Sequence, residues 1–155
     1  MARVFFDTGV LVETMRSRWG AAKVIFVLAS YHVVTLETSA LVLAEAESSL
    51  QRFGEPTGPD SELAQLLKIA HVRVHPPPGL DSVRDGLHLY LPAMRHRADV
   101  PILVAARDAR PDWLVSSNRR HFTDEVARLT GLRIVSPQEL MRYLDVRDVP
   151  VRGVP

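Results

Sequence analysis

Four polar side chains stand at positions where an α/β protein gathers its chemistry. Asp7 directly follows one apolar run, and Ser116 and Asn118 follow another. Asp99 precedes a predicted helix with proline in its first turn. Oxygen ligands without lysine or cysteine favour Mg²⁺ or Mn²⁺, which in hydrolases activates water and neutralises charge on a phosphoryl group. We therefore expect a hydrolytic site that uses a divalent cation.

Alternating strand and helix patterns are what would bring these residues together. Strands are predicted at residues 4–6, 33–36, 72–74, 113–115 and 132–135. Helices are predicted at residues 10–15, 21–29, 38–53, 61–70, 81–91, from 101, near 124–129 and after a capping box formed by Ser136 and Glu139. This alternation predicts the α/β class, as a three-layer α/β/α sandwich with a parallel sheet of about five strands. Right-handed crossovers then gather Asp7 and Ser116 at one edge of the sheet.

Length and composition limit the class of protein. The 155 residues suffice for one domain, which we predict over residues 1–144, with a loose tail at 145–155. The absence of cysteine excludes a disulfide framework and a thiolate site, and it fits a cytoplasmic protein. The longest stretch without charge, residues 24–36, is too short to cross a membrane.

The charge balance excludes a global field that recruits nucleic acid, because the net charge is only +1. Of the 19 basic residues, 17 are arginine, whose guanidinium binds phosphate with two parallel hydrogen bonds. Basic clusters at residues 95–97 and 119–121 flank the candidate acids in sequence. Both a solvated surface and contact with phosphate remain open for these clusters.

The choice of a further acid is not settled by periodicity. Glu37, Glu45 and Glu47 lie on or next to the long predicted helix, where solvated glutamates are the default. Helical spacing does not separate Glu45 from Glu47. Asp7 and Asp99 also have structural interpretations, because aspartate commonly ends a strand or caps a helix.

Five segments, by their order and spacing, resemble the PIN-domain family, which includes the VapC-like toxin ribonucleases of toxin–antitoxin systems. They are residues 4–12, with Asp7-Thr8-Gly9; 39–45, ending in Glu45; 99–106, beginning with Asp99; 113–118, ending in Asn118; and 134–140. The resemblance covers nearly the whole chain up to about Leu144. It implies a PIN-like fold and a metal-dependent endoribonuclease that leaves 5′-phosphate and 3′-hydroxyl ends.

The resemblance also implies roles and partners. Asp7, Glu45 and Asp99 would hold Mg²⁺ or Mn²⁺, and Ser116 and Asn118 would complete the catalytic set. The partners implied are an RNA substrate, a cognate antitoxin that silences the toxin, and a second copy of the chain in a homodimer.

One departure from the family pattern supports an alternative. Asn118 stands where many members carry a fourth aspartate, and because its amide adds no charge, binding of one ion and of two ions both remain open. The alternative is a PIN-fold protein that binds RNA or a partner with weak or no nuclease activity. Glu47 remains the fallback for the second acid.

Two other classes match parts of the sequence and fail on context. The string Asp7-Thr8-Gly9 is also the aspartic-protease signature, but that chemistry needs two such aspartates. A phospho-acceptor domain would need a lysine near a later strand end, whereas Lys23 and Lys68 fall on predicted helices.

Overall fold

The computed structural model describes residues 1–144, and the predicted tail at 145–155 lies outside the described residues. Five strands form one sheet: β1 (Ala2–Phe6), β2 (Val34–Ser39), β3 (Arg73–His75), β4 (Trp113–Val115) and β5 (Ile134–Val135). Eight helices accompany them in that range: α1 (Thr8–Arg16), α2 (Ala21–Ser30), α3 (Ala40–Arg52), α4 (Glu62–Ile69), α5 (Leu80–Tyr90), α6 (Val100–Ala109), α7 (Asp124–Thr130) and α8 (Pro137–Tyr143). None of these helices is long and apolar enough to span a bilayer.

The strand order places the candidate residues at one edge of the sheet. The order is β3-β2-β1-β4-β5, and every neighbouring pair is parallel. The chain therefore runs outward from β1 to β3 and then returns to place β4 on the other side of β1. This reversal makes the carboxyl ends of β1 and β4 a topological switch point, where open α/β sheets bind ligands. The predicted PIN-like α/β/α fold with about five parallel strands is confirmed.

The central strand β1 is buried on both faces. Val4, Phe5 and Phe6 are at most 1% exposed, as expected for a parallel strand that lies between two layers of helices. On one face, Phe6 packs against Phe26 of α2 with ring centroids 5.1 Å apart. On the other face, Arg3 reaches the carbonyl oxygen of the last residue of α6 at 2.8 Å. The packing thus fixes β1 as the element from which the site is built.

The boundary between β2 and α3 differs from the sequence prediction. The predicted helix at 38–53 begins only at Ala40, because Glu37, Thr38 and Ser39 extend the strand. The Thr38 hydroxyl donates to the carbonyl oxygen of Phe6 at 3.1 Å, and the Ser39 hydroxyl caps α3 by accepting from the Val42 N–H. Long-range pairing with β1 up to Glu37 and with β3 through Ser39 therefore overrides the local helical pattern. The predicted capping box before α8 is present.

This shift overturns the expectation that Glu37 is a solvated glutamate. Its side chain is fully buried and accepts two hydrogen bonds from the Arg3 guanidinium at 2.7 and 2.8 Å. His75 Nε2 lies 3.0 Å from the same carboxylate. Burial by itself would raise the pKa of Glu37, but the hydrogen bonds and charges of Arg3 and His75 outweigh it and lower the pKa below 4.5. Glu37 is thus an ionised structural acid.

The Arg3–Glu37 pair generates a stability prediction. Glu37→Gln removes the charge from a buried site and leaves the Arg3 guanidinium without its partner. It should lower the free energy of unfolding by about 2–4 kcal/mol near neutral pH, measured by urea denaturation. Because the pKa of Glu37 is lowered, its contribution is present above about pH 4.5 and is lost as the pH falls below that value. The two proteins should therefore converge in stability in acid.

The matched control is Asp85→Asn, which breaks only an exposed contact 4.0 Å from Arg84. That change should alter the free energy of unfolding by less than about 0.5 kcal/mol. Equal losses in the two variants would contradict the assignment of Glu37 to a stabilising network.

Candidate active site

Asp7 stands at the switch point, where it both ends β1 and caps α1. Its Oδ1 accepts a hydrogen bond from the Val10 N–H at 2.9 Å, the usual role of an aspartate at the N-terminus of a helix. Its Oδ2 accepts a hydrogen bond from the hydroxyl of Ser116, which follows β4. The Asp7 N–H donates to Val115 at 3.1 Å and extends the ladder between the two strands. The capping interpretation is therefore correct, and it is compatible with a functional one.

The protonation behaviour of Asp7 sets it apart from a simple cap. The residue is only 4% exposed. Burial raises the pKa of its carboxyl from 3.8 to about 6, and the negative charges of Asp99 and Glu13 add to this rise. The hydrogen bonds from Ser116 and Val10 lower the pKa without offsetting the burial. None of the ion pairs within residues 1–144 includes Asp7, and a buried carboxylate without a cationic partner is the environment expected where a positively charged ligand would bind.

Asp99 does not cap the helix that follows it. It lies in a short 3₁₀ turn before α6, and its side chain makes no capping hydrogen bond. Its Oδ2 is 2.6 Å from His121 Nδ1. This close contact is not aligned as a hydrogen bond, so the buried Oδ2 has no hydrogen-bond partner within residues 1–144. The His121 ring in turn packs on His96, with ring centroids 4.3 Å apart. Asp99 Oδ2 is therefore in close contact with the imidazole of His121, although no hydrogen bond to it is aligned.

Glu45 is connected to the site through the residue next to Asp7. The Thr8 hydroxyl donates to Glu45 Oε2 at 3.0 Å, across the contact between α1 and α3. Glu45 is half-buried, whereas Glu47 is exposed. The two glutamates therefore differ in their surroundings, although their sequence spacing does not distinguish them.

The loop after β4 completes the arrangement. The Asn118 N–H donates to the Ser116 hydroxyl oxygen at 3.0 Å, so Ser116 is held from both sides. Ser117 donates to Glu13 at 2.5 Å. Glu13 and His121 were not selected from the sequence. Glu13 lies one helical turn after Gly9 on α1, and this spacing was a signal that its side chain faces the same side of the helix. No sequence signal identified His121, because its contact with Asp99 forms only when the chain folds.

The candidate acids are of the chemical type that binds a hard cation, but their side chains do not converge on one point. Asp99 is close enough to Asp7 for its negative charge to raise the pKa of Asp7. Asp7, Asp99 and Glu45 all offer carboxylate oxygens, which Mg²⁺ and Mn²⁺ prefer. No group of three or more histidine, aspartate or glutamate side chains within residues 1–144 converges closely enough to hold an ion. The structure thus joins Asp7 to Ser116 by a hydrogen bond and places Asp99 where its charge acts on Asp7, whereas Glu45 is connected to this segment through Thr8.

One of the basic clusters is used structurally. Arg119 donates to the carbonyl oxygen of Ile134 at 2.9 Å and pairs with Asp124 at 2.8 Å. His121 of the same cluster faces Asp99. These contacts do not support phosphate binding by Arg119.

The raised pKa of Asp7 generates a second stability prediction. The folded protein binds this proton more tightly than the unfolded chain, so ionising Asp7 costs stability as the pH rises from about 4 to about 6. Asp7→Asn cannot ionise. Above about pH 6, in EDTA, its free energy of unfolding measured by urea denaturation should exceed that of the wild type by about 1–3 kcal/mol. Near pH 4 this difference should disappear.

Ser116→Ala is the companion variant, since it removes the O–H donor that lowers the pKa of Asp7. The fall in stability should then extend to higher pH than in the wild type. An Asp7→Asn protein that is less stable than the wild type by the same amount at every pH would contradict this account.

Comparison with known proteins tests the fold. No protein-family model matches the chain, and no curated protein matches it in sequence. Solved structures do match. A toxin–antitoxin complex from Klebsiella pneumoniae is 16% identical, with a TM-score of 0.57 over 86% of this chain and 97% of that one. VapBC2 from Rickettsia felis, bound to a DNA fragment from its promoter, is 15% identical, with a TM-score of 0.61 over 86% and 98%.

FitAcB from Neisseria gonorrhoeae is likewise similar, at 15% identity and a TM-score of 0.57 over 87% of this chain and 98% of that one. At these identities the likeness concerns the fold. The likeness extends over 86–87% of this chain and almost all of each matched chain. The chain therefore has the PIN-like fold, and it shares this fold with chains of toxin–antitoxin complexes.

Proposed function

We propose that the protein is a metal-dependent endoribonuclease and the toxin of a toxin–antitoxin pair. The observation that carries the proposal is Asp7: a buried carboxylate at the switch point of a PIN-like sheet that forms no ion pair within residues 1–144. Asp99 supplies a second carboxylate, whose negative charge acts on Asp7 and whose Oδ2 lies 2.6 Å from His121 Nδ1. The fold shared with chains of toxin–antitoxin complexes supports the biological role.

In this proposal Asp7 and Asp99 hold Mg²⁺ or Mn²⁺, and Glu45 completes the set. The ion, when bound, supplies charge neutralisation for the phosphodiester and an activated water. Ser116 fixes the orientation of Asp7 through its hydroxyl, and the Asn118 N–H fixes Ser116. Thr8 orients Glu45. Asn118 also adds a neutral side-chain amide to the proposed catalytic set.

A protein partner is part of the proposal because α2 has a second apolar face. Ile25 and Phe26 are buried in the core, while Val24 and Val27 on the same helix are 41% and 50% exposed. Tyr31 at its end is 64% exposed. Exposed apolar side chains in a row are typical of interaction sites, and an antitoxin or a second copy of the chain would cover this face.

The nuclease activity is tested with purified, partner-free protein and a mixed structured RNA, in Mg²⁺, in Mn²⁺ and in EDTA. We expect metal-dependent cuts that leave 5′-phosphate ends, and Asp7→Asn should lower the cleavage rate by a factor on the order of 10² or more, as when one preorganised electrostatic group is removed from an active site. Cleavage that persists in EDTA, or that survives Asp7→Asn, would contradict the proposal. Binding of RNA without cleavage in folded protein would favour the alternative of a PIN-fold binding protein.

The two glutamates of α3 provide a matched pair for the same assay. Glu45→Gln should reduce the metal-dependent rate by a factor on the order of 10², because it removes an acid oriented by Thr8 beside the site. Glu47→Gln removes the same charge from an exposed position of the same helix and should leave the rate within about twofold of the wild type. The reverse result would move the second acid to Glu47.

A further inference from the structure

A cavity of about 440 Å³ opens beside Glu45, outside the cluster of Asp7 and Asp99. Its lining residues are Thr8, Ala44, Glu45, Ser48, Ser49 and Arg52. Thr8 and Glu45 are hydrogen-bonded to each other, so the cavity begins where the candidate active site ends. Its volume lies in the range of sites that hold small molecules. Of the three proposed metal ligands, only Glu45 lines this cavity, so the proposed metal site does not account for the rest of it.

The polar lining follows one face of α3. Glu45, Ser48, Ser49 and Arg52 are spaced at three, four and seven residues, which places them on the same side of a helix. From Glu45 to Arg52 the row extends about 10 Å along the axis. Its chemistry changes along that length from a carboxylate, through two hydroxyls, to a guanidinium. This order suits a ligand that is anionic at the Arg52 end and approaches a cation at the Glu45 end.

Arg52 is free to bind an anion in a way that several other arginines are not. Its Nη2 donates to the Ser49 hydroxyl oxygen at 3.0 Å, a neutral partner that draws the guanidinium along the row. None of the ion pairs within residues 1–144 includes Arg52. Arg3 and Arg119, in contrast, are paired with Glu37 and Asp124.

A second cation lies at the same end of α3. Phe53 follows Arg52 and is 54% exposed, and the guanidinium carbon of Arg16 lies 3.7 Å from the centre of its ring. This stack holds Arg16 next to the Arg52 end of the row. The end of the row distant from the candidate metal ligands therefore carries two arginines, Arg52 and Arg16, with the acidic Glu55 following α3.

We propose that this row on α3 is a subsite for the backbone of the substrate strand, in which Arg52 binds a phosphate next to the scissile bond and the Ser48 and Ser49 hydroxyls contact the same nucleotide. The proposal rests on the proposed nuclease function and names its substrate class as single-stranded RNA. A duplex is bound by contacts that span successive grooves. A recess of this size with isolated cations, in a protein of net charge +1, instead suits one unpaired strand that bends into it.

The test measures binding rather than cleavage. An end-labelled single-stranded RNA is titrated by fluorescence anisotropy into Asp7→Asn protein in EDTA, at several salt concentrations. Adding Arg52→Gln should weaken binding about fivefold to tenfold. It should also reduce the slope of log affinity against log salt by about 0.7–1, the value of one lost phosphate contact. A duplex of the same sequence should bind more weakly and not respond to the change.

Arg128→Gln is the matched control, because Arg128 is an exposed arginine of α7 at a distance from this row in the chain and without an ion pair in the described region. It should change neither the affinity nor the slope. Equal effects of Arg52→Gln and Arg128→Gln would mean that only overall charge is sensed, and the proposal would be overturned.

The two proposals fail in distinguishable ways. Metal-dependent cleavage together with unchanged RNA binding in Arg52→Gln would retain the nuclease and overturn the subsite. Specific loss of binding in Arg52→Gln, with no cleavage in Mg²⁺ or Mn²⁺, would support the subsite and overturn the nuclease. Binding of duplex more tightly than single strand, with the same dependence on Arg52, would overturn the assignment of substrate class.

Discussion

The hydrogen bond from Ser116 to Asp7 joins the ends of β1 and β4, and much of the candidate site depends on it. The same carboxylate caps α1 through the Val10 N–H, and the Ser116 oxygen receives the Asn118 N–H. One buried acid therefore sets the start of α1 and the path of the loop after β4. Asp7 and Ser116 lie at the switch point of the sheet. The hydrogen bond that joins the ends of β1 and β4 therefore also holds Asp7 at the place where ligands approach such sheets.

The buried carboxylates of Glu37, on β2, and Asp7, at the end of β1, have pKa values shifted in opposite directions. This contrast distinguishes a structural acid from a candidate functional one. Glu37 has Arg3 and His75 as partners, so its pKa is lowered and its charge is neutralised within the fold. Burial, reinforced by the negative charges of Asp99 and Glu13, raises the pKa of Asp7 to about 6 against the opposing hydrogen bonds from Ser116 and Val10. The first arrangement stabilises the sheet. The second costs stability at neutral pH, a pattern typical of functional sites, and a cation is the ligand that would relieve it.

Local patterns were sufficient for the architecture and for part of the site. Alternating strand and helix patterns predicted the parallel sheet, since each element's periodicity is a property of a short segment. The apolar run before Asp7 and that before Ser116 predicted their meeting at one edge, because parallel strands with right-handed crossovers leave little choice. The capping box before α8 was also a local signal. The predicted start of α3 was wrong because β2 pairs with β1 up to Glu37 and with β3 through Ser39, and this long-range pairing extends the strand.

The sequence by itself determined the α/β fold, the position of Asp7 and the kind of chemistry its neighbours favour. Only the tertiary structure decided which acids and cations face which surroundings. Glu45 and Glu47 have the same helix and the same charge, and packing of α1 against α3 gives Glu45 the Thr8 hydroxyl. Glu37 became a buried ion because Arg3, 34 residues away, reaches it. Burial and pairing depend on contacts between distant segments, and such contacts are not encoded in the periodicity of any one segment.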